Sequence, residues 1–131
     1  IEFWKDENHI FVTFHNYGIN NVFYTTDGGI TWLEKDGNLP NLPVRCILQN
    51  PLIEDEVIIG TELGVWYTKD FSADSPSWQR ANSGMNDVRV TDMDLRKGDD
   101  YKVFAATYGL GVFSSNFGIN EPLINIDTDT K

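Results

Sequence analysis

The chain is 131 residues long with a mass of 14.9 kDa, the size of one ordinary domain. Hydrophobic residues make up 40% and charged residues 23%, which supports a packed core and argues against a disordered chain. Asp and Glu number 20 against 10 Lys and Arg, and the net charge of -10 repels nucleic-acid phosphates and anionic lipid. No apolar run approaches the ~18 to 20 residues of a membrane span. Neither nucleic acid nor membrane insertion is therefore expected. The chain opens on Ile1 with neither initiator Met nor a signal-peptide pattern, so it reads as processed or excised. One cysteine, Cys46, rules out an internal disulfide and a Cys-based metal cluster.

The apolar runs are short, β-branched and aromatic, and Gly, Asn, Asp and Pro bound them, a pattern of strands joined by tight turns. Strands are predicted over 9–15, 21–26 and 31–35, then 44–49, 56–61, 64–69 and 77–81, then 88–95, 102–107 and 110–115. Helical periodicity is absent. The turn glycines Gly18, Gly64, Gly109 and Gly111 occupy positions that favour positive φ.

The groups repeat. Sliding the chain by 46 residues lays Val44, Ile47 and Val57 to Thr61 (VIIGT) on Val90, Met93 and Val103 to Thr107 (VFAAT). An offset of 47 lays Gly64 to Thr68 on Gly111 to Ser115, and an earlier copy runs through Ile10 to Phe14 and Val22 to Thr25. Four antiparallel strands in a period of ~40 to 50 residues is the spacing of a β-propeller blade. The expected fold is all-β, with four-stranded antiparallel blades of a β-propeller near 1–36, 37–82 and 83–117. About two and a half to three blades are present and the ring is incomplete. The first copy lacks most of its innermost strand and the last lacks its fourth. Residues 118–131, with Pro122 and repeated Asp and Thr, read as a C-terminal linker, tail or departing edge strand. A sandwich of ten short strands is the competing arrangement, which the internal repeat disfavours.

The sharpest motif is TTDGGITW, residues Thr25 to Trp32. It fits the Asp-box pattern Ser/Thr-x-Asp-x-Gly-x-Thr-Trp through Thr25, Asp27, Gly29, Thr31 and Trp32. Thr25 and Asp27 are expected to bond backbone groups of a hairpin turn, Gly29 to take a conformation closed to other residues, and Trp32 to fold onto the turn. A degenerate box starts at Thr68 and Asp70 and reaches Ser77 and Trp78 only after the longer stretch Phe71 to Pro76. In the third copy, Ser115-Asn116-Phe117 has no Asp. Each box falls between the third and fourth strands, far from a central channel, where a turn-stabilising role is expected.

Together with the pattern Val44-Arg45-Cys46-Ile47, Pro51, VIIGT and Gly64-Val65-Trp66, this box resembles the Asp-box (BNR) repeat propellers. That group includes sialidases, xyloglucan-cleaving glycoside hydrolases, the sortilin luminal domain and a photosystem assembly factor. The resemblance covers roughly residues 1 to 117 and implies a propeller of about six to ten blades, usually exported, of which these are C-terminal blades. It implies as partners the remaining blades of the same propeller, or other copies of the chain, and a glycan or protein ligand. Two uncovered sheet faces would then favour association.

For chemistry, Asp92 and Asp94 are the nearest approach to a glycosidase carboxylate pair. Two apart on a strand, they share a face with Cα atoms ~6.6 to 7 Å apart, a spacing that suits an inverting pair. Simple alternation places Val88 and Val90 on that same face. A sialidase would need, as the resemblance implies, three clustered arginines and a Tyr nucleophile, whereas Arg45, Arg80, Arg89 and Arg96 are scattered. His9 and His15 lie too far apart along one strand for a shared metal. Asp127 and Asp129 lack the ligand count and turn Gly of a calcium loop, so no metal or cofactor is expected. Cys46 reads as a small hydrophobe in an apolar strand. Trp4, Trp66, Tyr67 and Phe113 are assigned to packing between blades, whereas Tyr17 and Tyr108, beside turn glycines, can stack on a sugar ring or anchor a partner. The function that follows is a non-catalytic binding module of an exported propeller, with a fragment of a xyloglucanase-type hydrolase as the alternative.

Overall fold

The computed structural model describes residues 1–3, 6–81, 88–96, 101–109, 111–116 and 127–129. The protein is all-β, with no helix among the described residues and three four-stranded antiparallel sheets. The first sheet contains β1 (Glu2–Phe3), β2 (Ile10–Thr13), β3 (Val22–Thr25) and β4 (Leu33–Glu34). The second contains β5 (Val44–Gln49), β6 (Val57–Thr61), β7 (Gly64–Thr68) and β8 (Gln79–Arg80). The third contains β9 (Val90–Arg96), β10 (Lys102–Thr107), β11 (Val112–Asn116) and β12 (Asp127–Asp129). Within each sheet, spatial order follows chain order.

All ten predicted strands are present: β5 and β10 at the predicted bounds, β9 and β11 starting two residues later and ending one residue later, and the other six shortened at one or both ends. Two more strands exist. β1 pairs Glu2 with Phe11 and Phe3 with Ile10. β12 pairs Asp127 to Asp129 with Ser114 to Val112. The third copy therefore does not lack its fourth strand, since the tail supplies it. The Asp-Thr-Asp sequence gives no apolar signal, and an edge strand is held by its backbone bonds whatever its side chains.

The inner ladders of the second and third sheets share one register. Val44–Thr61, Cys46–Gly60 and Ile47–Ile59 in one match Val90–Thr107, Asp92–Ala106 and Met93–Ala105 in the other. Both contain a β-bulge, which leaves Arg45 and Thr91 unpaired. A bulge inserts one residue and reverses the alternation beyond it. Val90 consequently enters the core at 0% exposure while Asp92 stays exposed. Val90 and the Asp92–Asp94 pair thus lie on opposite faces, contrary to the simple alternation.

The sheets stack in chain order. Between the first and second lie Phe11 and Val22 from one side and Val44, Ile47, Val57 and Ile59 from the other, with Phe71 and Trp78. Between the second and third lie Ile58 and Val65 against Val90, Met93, Val103, Ala105 and Phe113. β6 is buried along its whole length because both its faces are covered. Each such Val or Ile contributes roughly 1.5–3 kcal/mol on burial. The second interface is tight: a Cβ at Gly60 would lie 2.5 Å from Cys46 Sγ and 2.6 Å from Val90 Cγ1.

Candidate functional site

Strand direction alternates, so the turns fall at two ends. One end holds the boxes. Thr25 Oγ1 donates to Asp27 Oδ1 at 2.7 Å and accepts from the backbone N–H groups of Asp27 and Gly29 at 3.3 and 3.0 Å. Asp27 Oδ1 accepts the Thr31 N–H at 2.9 Å, and Oδ2 accepts the Thr31 hydroxyl at 2.6 Å. The Thr31 hydroxyl, then the Thr31 N–H and Thr25, hold the Asp27 carboxyl down at about 2. Gly28 and Gly29 take φ of 73° and 93°. Trp32 covers Gly29 but keeps 42% exposure, so its ring is half-buried rather than enclosed.

The degenerate box repeats three of these bonds. Thr68 Oγ1 donates to Asp70 Oδ1 at 2.6 Å and accepts the Asp70 N–H at 3.3 Å, while Asp70 Oδ1 accepts the Ser77 N–H at 2.9 Å. The extra residues between Asp70 and Ser77 are used for packing. Phe71 is buried edge-on to Phe11, Tyr24 and Trp78. Trp78 Nε1 donates to the Lys35 carbonyl at 2.9 Å, and Lys35 Nζ donates to the Ala73 carbonyl at 2.8 Å. This box therefore staples the first sheet to the second. The Ser115 and Asn116 side chains and Phe117 lie outside the described residues.

The opposite end carries the β2–β3, β6–β7 and β10–β11 turns and the connections into β5 and β9. The Phe14 carbonyl accepts Val44 N–H at 3.0 Å, the Val88 carbonyl accepts Gly64 N–H at 2.8 Å, and the Arg89 carbonyl accepts Tyr108 N–H at 3.0 Å. These bonds tie each turn to a neighbouring connection. Glu62, unnoticed in the sequence, is the electrostatic centre. Its Oε1 accepts from Arg45 Nη2 at 2.6 Å and Nε at 3.0 Å, and its Oε2 accepts from Arg89 Nε at 2.6 Å. Burial raises the Glu62 pKa, but the two guanidinium groups outweigh it and leave the carboxyl below its usual range. Arg45, the residue left unpaired at the bulge, is the one that reaches Glu62.

Arg89 lies 5.4 Å from the Tyr108 ring centroid. Tyr17 and Tyr108 stand at this end with 65% and 72% exposure. Beside Tyr17, an open groove of about 550 Å³ is lined by Gly18, Ile19, Asn20, Glu34, Asp36 and Asn41, among others. Asn41 Oδ1 accepts the Gly18 N–H at 2.6 Å, and Asp36 accepts the N–H groups of Asn21 and Val22 at 2.9 and 2.7 Å. The groove walls are thus fixed by bonds across the loop.

Asp92 and Asp94 lie on the outer face of the third sheet, both exposed. Each accepts the N–H of the following residue at 2.9 Å. Glu2, in β1, is raised chiefly by burial, with the charges of Asp92 and Asp94 adding to the effect. The Cys46 thiol is pushed up to about 12 by burial and then by Asp92. Of the scattered arginines, Arg45 and Arg89 meet at Glu62, Arg80 lies over Trp66 and Arg96 over Phe104. His9 Nδ1 is 2.8 Å from Asp6 Oδ1. No group of three or more His, Cys, Asp or Glu among the described residues is placed to hold a metal. Phe113 is buried, Trp66 and Tyr67 pack at the sheet interfaces, and Trp4 lies outside the described residues. No family model, curated protein or solved structure matches the chain.

Proposed function

We propose that the three sheets are blades of an exported Asp-box β-propeller, and that this part of it holds a glycan or protein ligand without cleaving it. The shared register and paired bulges support the repeated blade. The observation that carries the function is the pair of exposed rings, Tyr17 and Tyr108, on the end opposite the boxes. They are mounted on turns that Glu62, Arg45, Arg89 and Asn41 hold in place. Exposed aromatics on a rigid support give stacking area with little conformational entropy lost on binding.

The test is a panel of polysaccharides assayed both for retention of the chain and for release of reducing ends. Retention without release is expected, with loss of retention for Tyr108→Ala or Tyr17→Ala. The second reading is a piece of a xyloglucanase-type hydrolase, favoured by the Asp92 and Asp94 carboxylates exposed on one face of β9. It requires release of reducing ends that Asp92→Asn abolishes, and that result would replace the binding reading.

A further inference from the structure

We infer that Glu62 is a positioning residue for the ligand contact at Tyr108: it holds the Arg89 guanidinium against one face of the Tyr108 ring, so that a ligand stacks on the opposite face. The inference rests on the binding reading above and names the residue that aims the ring.

The shared register of the inner ladders matches Val44–Thr61 with Val90–Thr107. Just outside that pair stand Pro43 and Glu62 in the second sheet, and Arg89 and Tyr108 in the third. Both outer pairs make the same backbone bond. The Glu62 N–H donates to the Pro43 carbonyl at 3.3 Å, and the Tyr108 N–H donates to the Arg89 carbonyl at 3.0 Å. Glu62 and Tyr108 therefore fill one position of the repeat, with a carboxylate in the second sheet and a ring in the third. The carboxylate reaches across to the support of that ring. Arg89 Nε donates to Glu62 Oε2 at 2.6 Å, and the Arg89 guanidinium lies over the Tyr108 ring, 5.4 Å from its centroid.

Burial does not orient Tyr108, and the guanidinium against its face supplies what the core does not. Arg89 is itself a long side chain with 44% exposure, and left alone it would sample many rotamers. Glu62, at 13% exposure, removes that freedom. Its two oxygens are divided between two arginines. Oε1 accepts both Arg45 bonds, which leaves Oε2 for Arg89 and fixes the plane of the carboxylate. A partly exposed ion pair adds little to stability, so the bridge acts mainly through geometry. Only a planar guanidinium can both bond the carboxylate and stack on the ring, which an ammonium cannot do.

The experiment has two readouts, side-chain NMR of the chain without ligand and retention on the polysaccharide panel, with circular dichroism confirming the fold of each variant. In the wild type, the ring current of Tyr108 is expected to shift the Arg89 side-chain protons upfield, and Tyr108→Leu removes that shift. Glu62→Ala should remove most of it and weaken retention roughly two- to fivefold, the factor that a lost cation–π contact corresponds to. Glu62→Gln, which keeps one acceptor for two guanidinium groups, should fall between Glu62→Ala and the wild type. Arg89→Lys keeps a charge opposite Glu62 but no planar face, and should weaken retention as Glu62→Ala does. Asp70→Asn, which loosens a box at the other end, should lower stability and leave both readouts unchanged. A wild type without the upfield shift, or a shift that Glu62→Ala leaves intact, overturns the inference. So does loss of retention that Asp70→Asn shares, since the bridge would then act only through stability. A wild type that no polysaccharide retains removes the binding reading, and the shift alone then decides whether Glu62 aims the ring.

Discussion

Thr25 and Asp27 organise a whole turn because a hydroxyl and a carboxylate together satisfy several backbone and side-chain donors that a tight turn leaves without strand partners. The folded Asp27 carboxyl titrates near 2, below its ordinary 3.8. A carboxyl depressed on folding stabilises the protein above its unfolded value, and the effect disappears as pH falls through the folded one. Asp27→Asn should therefore lower the melting temperature at neutral pH, and the gap from wild type should close between about pH 4 and pH 2. A gap that is constant across that range would mean that the charge is irrelevant. The two box tryptophans differ in the same spirit. Trp78 is 2% exposed and tied to Lys35, so Trp78→Ala should cost about 3–5 kcal/mol in urea unfolding. Trp32, at 42% exposure, should cost clearly less, the reverse of what the intactness of its motif suggests. The box residues were legible because the motif encodes a local turn. Glu62 was not, because its partners Arg45 and Arg89 lie 17 and 27 residues away and meet it only once the sheets are stacked.

At the scale of strands, alternation of apolar residues located every strand that has an apolar face. It missed β1, which is two residues long, and β12, whose sequence is polar throughout. It also missed the bulges at Arg45 and Thr91, since one inserted residue leaves no compositional trace while reversing all that follows. That reversal buries Val90 and exposes Asp92, so the orientation of the candidate carboxylates depended on a feature the pattern does not contain. Gly60 is the complementary case. Its place inside an apolar strand marks a close approach of Cys46 and Val90, and Gly60→Ala should destabilise by about 1–3 kcal/mol through overpacking, measured by urea unfolding. Rescue by Val90→Ala in the double variant would identify the crowding partner.

For the molecule as a whole, the order of burial follows from stacking. The second sheet contributes to both cores, whereas the first and third each contribute to one. Two end faces of different character result, one lined by Val12, Phe23 and Trp32 and one bearing Asp92, Asp94 and Phe104. Two of the turns at one end are committed to boxes, and the other end carries the exposed rings of Tyr17 and Tyr108. The account stands on the second sheet being the enclosed middle layer of a three-sheet stack, and amide hydrogen exchange tests this most directly. Local stability rises with enclosure, so β6, buried along Val57–Thr61, should exchange most slowly, ahead of its counterparts β2 and β10. Equal protection of all three strands, or slower exchange in β2 or β10 than in β6, would contradict the stack.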